Sequence, residues 1–454
     1  MNSDNYILFD GAHKNPSKNK FDFYAEGSSP NILDEIINFI DENKNELEEV
    51  NVCFYLFNNF ILASKLLTLT RDKIKVNVFG IPLEGYDTKG SKGTFNSYYQ
   101  NKPLFYVGNS QSKYDFAERI YDNFRGEVTT NRFLDFYVFD HIYVRSPYVK
   151  RFSRGSMPFS LHTKNMFFKM KDGTSYSILT SSNLALRDLQ KEELCIFIKN
   201  TEKDKVSNED FFSNMVRFST RLSDYDNEKE IQNYKDDISL KAIEDPIKKS
   251  KEGLFFSSPF IKNSNKNIGE EIISRISNAK ERVLICSQHL NTFDGSLRDA
   301  LLKKDSALKV RILTQTYCDE TLKVMGKGTY PDSCVLVNNK WEKVRKPQNP
   351  QSFIDFIKRI KRDVRCRYYF NPDIHLKFIV IDNDVILSTG NFTATQFMYK
   401  EEEINSFKHF SGSYKGTFSE VNTYYIRSGD SLLANKLSEH FNMLIKLSSS
   451  IKVI

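Results

Sequence analysis

The stretch Asp373-Ile-His-Leu-Lys-Phe-Ile-Val-Ile-Asp382, followed by Val385-Ile-Leu-Ser-Thr-Gly-Asn-Phe392, predicts two antiparallel strands joined by a tight turn. Because side chains alternate along a strand, His375 and Lys377 project from the same face. The second strand brings Asn391 back toward them. An imidazole, an ammonium group and an amide are therefore expected to converge at one end of this hairpin.

A second copy of the pattern lies earlier in the chain. Leu161-His-Thr-Lys-Asn-Met-Phe-Phe-Lys-Met170 is followed by Ser177-Ile-Leu-Thr-Ser-Ser-Asn-Leu184, which supplies His162, Lys164 and Asn183. A single His on an apolar strand is more often a core residue than a functional one. Two such matches, each followed by a polar turn that ends in Asn, favour a functional site.

The elements around the two motifs also repeat. Each half predicts the order strand, helix, strand, helix, strand before its motif, near residues 6–9, 31–48, 50–56, 61–69 and 74–79, and again near 254–257, 268–279, 282–287, 297–302 and 308–313. Strands separated by helices predict a largely parallel or mixed sheet with helices on both faces. The expected fold is α/β, with two similar lobes forming a pseudo-dimer.

The predicted lobes are residues 1–225 and 253–454, joined by a charged linker at 226–252 that is poor in large apolar residues. Two segments, 82–132 and 318–352, have little apolar periodicity and are interpreted as lids or insertions. Because both motifs are in one chain, a monomer is expected to hold a complete site, although a higher oligomer or a partner from a defence system is compatible with the sequence.

Bulk composition predicts a soluble, cytoplasmic protein. Of 454 residues, 40% are hydrophobic, the net charge is +7 and the six cysteines are scattered. No apolar run reaches the roughly 20 residues of a membrane helix, and the amino terminus does not resemble a secretory signal. Stable membrane association, disulfides and zinc sites are not expected.

The residues of the two motifs match the needs of phosphodiester cleavage. A neutral imidazole can attack phosphorus while a second, protonated imidazole gives its proton to the leaving oxygen. Lys and Asn can donate hydrogen bonds to the non-bridging oxygens. The remaining histidines form no HExxH motif, so neither a metal nor another cofactor is expected.

These motifs resemble the HxKxxxxD and GSxN signature of the phospholipase D superfamily. The second motif fits through Asp382 and the stretch from Ser388 to Asn391, whereas Lys169 occupies the Asp position of the first. The first motif, with Thr180-Ser-Ser-Asn183, is similar to the tyrosyl-DNA phosphodiesterase branch.

The resemblance implies roles for individual residues. His162 would be the nucleophile and His375 the general acid, although the sequence leaves the reverse assignment open. Asp382, Ser182 and Thr389 would support the site. In the family, an acidic or amide side chain orients each histidine. The candidates are Glu193, which follows Asn183 by ten residues, and Glu420, which is favoured over Glu403 for His375. Each is otherwise a solvated glutamate at a strand edge.

Two basic clusters suggest the substrate. They lie at 146–155 and 323–346 and include Lys150, Arg151, Arg154, Lys343 and Arg345. Interleaved aromatic residues favour a track for nucleic acid, with solvated loops as the alternative reading. A nuclease acting on DNA or RNA, in restriction or phage defence, is the first hypothesis. The alternatives are a lipid phosphodiesterase or transferase, a non-catalytic polyanion-binding module and, more distantly, a polyphosphate kinase.

Overall fold

The structure is a computed structural model, and it describes residues 5–11, 31–55, 57, 59–80, 123–139, 159–184, 191–224, 243–258, 260–290, 296–302, 308–314, 334–337, 340–343, 366–371, 373–393, 401–404, 414–417 and 419–447.

The first lobe is built on a mixed sheet. Its strands are β1 (Tyr6–Asp10), β2 (Leu47–Phe54), β3 (Lys75–Gly80), β4 (Leu134–Val138), β6 (Lys164–Met170), β7 (Ser175–Thr180), β8 (Glu193–Lys199) and β9 (Thr220–Arg221), while β5 (Phe159–Leu161) lies outside this sheet. The strand order is β1-β8-β7-β6-β2-β3-β4-β9. The β2, β3 and β4 strands run parallel to one another, and the others pair antiparallel.

The second lobe repeats this sheet. Its strands are β10 (Gly253–Ser257), β11 (Arg282–Ser287), β12 (Lys309–Thr314), β15 (Cys366–Phe370), β16 (Lys377–Ile381), β17 (Asp384–Ser388) and β20 (Ser419–Arg427), in the order β10-β20-β17-β16-β11-β12-β15. These seven strands match β1-β8-β7-β6-β2-β3-β4 of the first sheet one by one, and β9 is an addition of the first lobe. Two further sheets have two strands each, β13 (Cys334–Val337) with β14 (Lys340–Lys343), and β18 (Glu401–Ile404) with β19 (Tyr414–Thr417).

Helices cover these sheets. They are α1 (Ile32–Asn43), α2 (Phe60–Arg71), α3 (123–130), α4 (Glu202–Arg217), α5 (Ser264–Asn278), α6 (Ser296–Leu302) and α7 (Ser431–Leu447), with a 3₁₀ turn at Pro246–Lys248. The α1 helix begins with a capping box in which Asn31 and Asp34 each accept from the other's backbone N–H. Among the helices of the described part of the chain, none has the length and apolarity needed to cross a membrane.

The apolar core joins the lobes to each other. Four first-lobe residues on β7 and β8 pack in a cluster otherwise drawn from the second lobe and α7: Leu179, Leu194, Ile196 and Ile198. Conversely, Phe256 of β10 stacks on Phe211 of α4, with ring centroids 4.1 Å apart. Each lobe therefore buries apolar side chains of the other, and the two lobes share one apolar interface.

Backbone pairing also crosses between the lobes. The β5 strand, just before His162, pairs parallel with β20 and brings Ser160 opposite Glu420. On the other side, Glu192 pairs parallel with Ile374, just before His375. Each histidine is therefore held next to a strand of the other lobe.

The predicted α/β fold with two similar lobes is confirmed. The main difference is local: the helix expected to reach residue 48 ends at Asn43. The Glu46 N–H closes a turn on the Asn43 carbonyl, and β2 begins at Leu47. The lobe boundary stays a prediction, since residues 225–242 lie outside the described residues. Of the expected insertions, 81–122 and most of 315–365 also lie outside them.

Candidate active site

His162 lies between β5 and β6, where its backbone N–H donates to the Val421 carbonyl at 2.9 Å. Its Nδ1 atom is 3.3 Å from Oε2 of Glu420, an ion-pair distance without the alignment of a hydrogen bond. The two side chains keep 21% and 19% of their exposure. This half-site is therefore partly open to solvent.

His375 lies just before β16, and its backbone N–H donates to the Glu192 carbonyl at 3.0 Å. Its Nδ1 atom is 2.5 Å from Oε1 of Glu193, and the side chains are only 8% and 2% exposed. The Ser181 hydroxyl donates to the other oxygen of Glu193. This half-site is closed to solvent, and both oxygens of the Glu193 carboxylate have a partner.

The pairing of carboxylates with histidines differs from the sequence-based expectation. Glu193 was expected to serve the first half, with Glu420 or Glu403 orienting His375; instead, Glu193 contacts His375 and Glu420 contacts His162. The physical reason is the pairing of strands between the lobes, which puts the start of β8 beside the second motif and the start of β20 beside the first. Glu403 belongs to β18, in a separate two-stranded sheet.

Two buried lysines accompany the histidines. Lys164 and Lys377 are each 0% exposed. Lys164 Nζ donates to the His162 carbonyl at 2.8 Å, and Lys377 Nζ donates to the His375 carbonyl. An ammonium group has three donors, and this contact uses one of them.

The two half-sites act on each other electrostatically. Burial and the Lys164 ammonium together lower the pKa of His162 to about 4, against the opposing effect of Glu420. Lys377 of the second half-site contributes in the same direction as Lys164. The His162 imidazole is therefore neutral at physiological pH, as a nucleophile must be.

The two asparagines end the polar turns after β7 and β17. Asn183 and Asn391 are 5% and 9% exposed. The Asn391 Oδ1 atom accepts the His289 N–H at 3.2 Å, which orients the amide. In the first turn, the Ser182 hydroxyl accepts the N–H of Leu184, a residue with a φ of 58°.

The supporting residue Asp382 acts on the backbone. Its carboxylate accepts the N–H groups of Lys280, Glu281 and Arg282 at 2.8 to 2.9 Å, which fixes the start of β11 against the β16–β17 turn. At the equivalent position of the first motif, Lys169 instead forms an ion pair with Glu209 of α4 at 2.9 Å. Thr389 accepts the Thr423 N–H at 3.0 Å and ties β17 to β20.

The basic residues predicted to contact nucleic acid fall almost entirely outside the described residues. Lys150, Arg151, Arg154 and Arg345 lie outside the described residues, and Lys343 is described only as the last residue of β14. Among the residues that the structure describes, there is no group of three or more His, Cys, Asp or Glu side chains that could hold a metal ion.

Sequence reasoning missed Tyr55 and Asn422. The Tyr55 ring meets the His162 ring edge to face, with centroids 6.0 Å apart. It follows β2 directly, and an aromatic residue at the end of a strand next to the motif strand was a signal that could have found it. Asn422 lies two residues after Glu420 on the same face of β20, a spacing that was visible in the sequence.

Comparisons with known proteins support the fold. Residues 272–415, which include the whole second motif, match the family described as "Cardiolipin synthase, PLD-like domain". A search of curated protein sequences finds no match.

Solved structures with a similar fold include phosphatidylserine synthase of Haemophilus influenzae, with 13% identity, a TM-score of 0.52 and coverage of 92% of this chain and 85% of that one. Polyphosphate kinase of Porphyromonas gingivalis has 11% identity and a TM-score of 0.47; 97% of this chain aligns, but it spans only 50% of the kinase. Yeast tyrosyl-DNA phosphodiesterase has 10% identity, a TM-score of 0.36 and coverage of 84% and 82%. The second lobe thus matches a phospholipase D-like family over residues 272–415, and the whole chain shares its fold with phosphatidylserine synthase.

Proposed function

We propose that this protein is a metal-independent phosphodiesterase that cleaves nucleic acid, with DNA as the first substrate to test, through a covalent phosphohistidine. The observation that carries the proposal is the pair of histidines whose Nδ1 atoms each face a carboxylate, beside two buried lysines. Since Nδ1 of each ring faces its carboxylate, Nε2 is the atom assigned to the phosphate.

The reaction proceeds in two steps. Nε2 of His162 attacks phosphorus as the bond to the leaving oxygen breaks, and protonated His375 gives its proton to that oxygen. His375 then takes a proton from water, and the resulting hydroxide attacks the phosphohistidine and releases His162. The buried Glu193 carboxylate favours the imidazolium form that the first step requires of His375.

The lysines and asparagines hold charge on the non-bridging oxygens. Lys164 and Lys377 are buried, so their attraction for a phosphate is less screened than it would be at a surface. Asn183 and Asn391 supply amide donors from the two turns. These four groups take the part that a metal ion plays in other phosphodiesterases.

Two observations bear on the substrate. Tyr55 presents an aromatic ring next to His162, a surface on which a base can stack. The two predicted basic clusters would guide the phosphate backbone. Both favour nucleic acid, and restriction or phage defence is the biological setting that we propose for such an activity.

A lipid phosphodiester is the second candidate, and one observation favours it. Phe60 and Ile61 are 40% and 47% exposed at the start of α2. The Asn59 amide just before them donates to the Leu184 carbonyl, next to Asn183, so this apolar pair lies near the site. An acyl chain could occupy such a surface.

The test is incubation in EDTA with labelled single-stranded DNA, duplex DNA, RNA and phosphatidylcholine vesicles. We expect cleavage of a nucleic acid, loss of at least about a thousandfold in His162→Ala and His375→Ala, and a phosphohistidine in the wild type. The matched control is His440→Gln, because His440 is also buried but stacks on Phe9 in the core.

Each outcome has a clear meaning. Cleavage that disappears in EDTA would contradict the metal-independent mechanism. Activity confined to phosphatidylcholine would replace nucleic acid by lipid, and normal activity in either active-site variant would rule out the two-histidine site.

A further inference from the structure

The duplication allows the two lobes to be matched residue by residue. The N–H of His162 donates to the Val421 carbonyl, and the N–H of His375 donates to the Glu192 carbonyl, at 2.9 and 3.0 Å. Since the two histidines are counterparts, Val421 and Glu192 are counterparts as well.

A second pair of contacts gives the same correspondence. The Ser181 N–H donates to the Leu194 carbonyl, and the Thr389 N–H donates to the Thr423 carbonyl, both at 3.0 Å. Ser181 and Thr389 each follow the last residue of the equivalent strands β7 and β17. Leu194 therefore matches Thr423, and the offset between β8 and β20 is the same in both comparisons.

This correspondence makes Asn422 the counterpart of Glu193. The hydroxyl contacts agree, because Thr389 Oγ1 donates to Asn422 Oδ1 at 3.3 Å where Ser181 donates to Glu193. The second lobe thus has a neutral amide at the position from which the first lobe supplies a carboxylate.

The lobes also differ two residues earlier, and there the sign of the charge is reversed. Glu420, which faces His162, matches Lys191 of the first lobe. Burial raises the pKa of Asp373, and Lys191 is close enough to offset part of that rise. One lobe therefore has Lys and Glu at these two positions, and the other has Glu and Asn.

Asn422 contacts the carboxylate that faces the nucleophile. Its Nδ2 atom donates to Oε2 of Glu420 at 3.4 Å, and Oε2 is also the oxygen nearest His162 Nδ1. Asn422 is 0% exposed. The Ser257 hydroxyl donates to the Glu420 carbonyl and accepts the Asn422 N–H, so the backbone between the two residues is held as well.

We propose that Asn422 is a positioning residue that makes the two half-sites unequal. Its neutral amide holds Glu420 without adding a second negative charge, so that His162 acts as the nucleophile. Glu193 instead presents a carboxylate to His375, which protonates the leaving group. This division of roles rests on the proposed function, but the two differences in charge are features of the structure alone.

The groups around His162 explain why an amide matters. Lys164 of β6, Lys377 of β16 and Glu420 of β20 act on its charge, and the Tyr55 ring packs against it. Burial, together with two cations against one carboxylate, favours the neutral imidazole. A carboxylate at position 422 would balance the charges and shift the titration of His162 toward the imidazolium, which cannot attack phosphorus.

The test is Asn422→Asp, read by NMR titration of ¹³C-labelled histidine, with the His162 signal assigned by its absence in His162→Gln. We expect the His162 pKa to rise by about one unit or more, which is the usual effect of a carboxylate within a few ångströms. The acid limb of kcat/KM should move up in pH by the same amount.

The matched control is Asn77→Asp. Asn77 is also buried and its Nδ2 atom also donates to a glutamate, Glu49, at 3.0 Å, but it lies on the opposite face of the first sheet from Lys164. This variant places the same new charge beside a glutamate outside the site, so the His162 titration should not move.

A second variant covers a failure of Asn422→Asp to fold. Asn422→Ala adds no charge but removes the contact to Glu420, and we expect kcat to fall about tenfold with KM unchanged. An unchanged His162 titration in folded Asn422→Asp, or an unchanged kcat in Asn422→Ala, would overturn the proposal. If the wild type cleaves no phosphodiester, the proposed function fails, whereas the NMR titration still tests the coupling of Asn422 to His162.

Discussion

The half-site around His375 is closed and the half-site around His162 is partly open, although equivalent strands build both. His375 has a carboxylate at 2.5 Å with both side chains under 10% exposed, whereas His162 has one at 3.3 Å with about a fifth of each side chain exposed. A tight buried carboxylate favours a protonated imidazole, and a loose one beside two lysines favours a neutral imidazole. Duplication therefore supplies the same scaffold twice, and a few side chains give its copies different chemistry.

The largest expected effect is a difference in kcat/KM between variants of the two carboxylates. Glu193→Gln should lower kcat/KM by about a thousandfold, because the equivalent change in a serine-protease triad costs about ten-thousandfold. Glu420→Gln should cost only about tenfold, because its contact is longer and partly solvated. The measurement is cleavage of the best substrate in EDTA, with the exposed ion-paired Glu244→Gln as control. Equal losses would mean that the two half-sites are equivalent.

Removing each histidine should separate the half-sites by stability. His375→Ala leaves the buried Glu193 carboxylate without its main partner and should lower the free energy of unfolding by about 3 kcal/mol. His162→Ala leaves Glu420 partly hydrated and should cost about 1 kcal/mol. Denaturant titration at neutral pH measures both values. A larger loss in His162→Ala would reverse the assignment of the closed half-site.

The pH dependence of stability should report the state of His162. Its pKa is about 4 in the folded protein and 6.5 in the reference state, so folding favours the neutral form. This contribution is fully present above pH 6.5 and is lost as the pH falls through 4. Relative to His162→Gln, the wild type should lose about 3 kcal/mol of unfolding free energy over that range. Parallel stability curves for the two proteins would contradict the lowered pKa.

The smallest expected effect concerns the one position where the two motifs differ most. Asp382→Ala removes the acceptor of three backbone N–H groups and should cost about 2 kcal/mol in thermal or denaturant unfolding. Lys169→Ala breaks only a partly exposed ion pair and should cost less than about 1 kcal/mol. Similar costs for both would mean that Lys169 has a larger structural role than its contacts indicate.

The sequence predicted the fold well because the deciding signals are local. Apolar runs such as Arg282–Ser287 and the helical periodicity of Ser264–Asn278 mark their elements without reference to the rest of the chain. Their order in each half then restricts the topology to a mixed sheet with helices on both faces. The repeated order of strands and helices along the chain follows from the same patterns.

The site was predicted only as far as each motif is local. Alternation along a strand places His162 and Lys164 on one face, but it does not say which carboxylate meets His162. That is decided by pairing between β5 and β20, segments about 260 residues apart that carry no mutual signal in one sequence. For the same reason, the role of Asn422 emerges only when the lobes are matched in space.

The pairing between the lobes also sets the order in which the site is completed during synthesis. Thr163, next to His162, meets Thr423 of β20 through their hydroxyls, a contact that spans 260 residues. As the chain leaves the ribosome, the first lobe therefore emerges with its proposed nucleophile and lysine but without Glu420 or the second histidine. A nascent chain cannot cleave a phosphodiester by the two-histidine route until β20 has been made and has paired with β5.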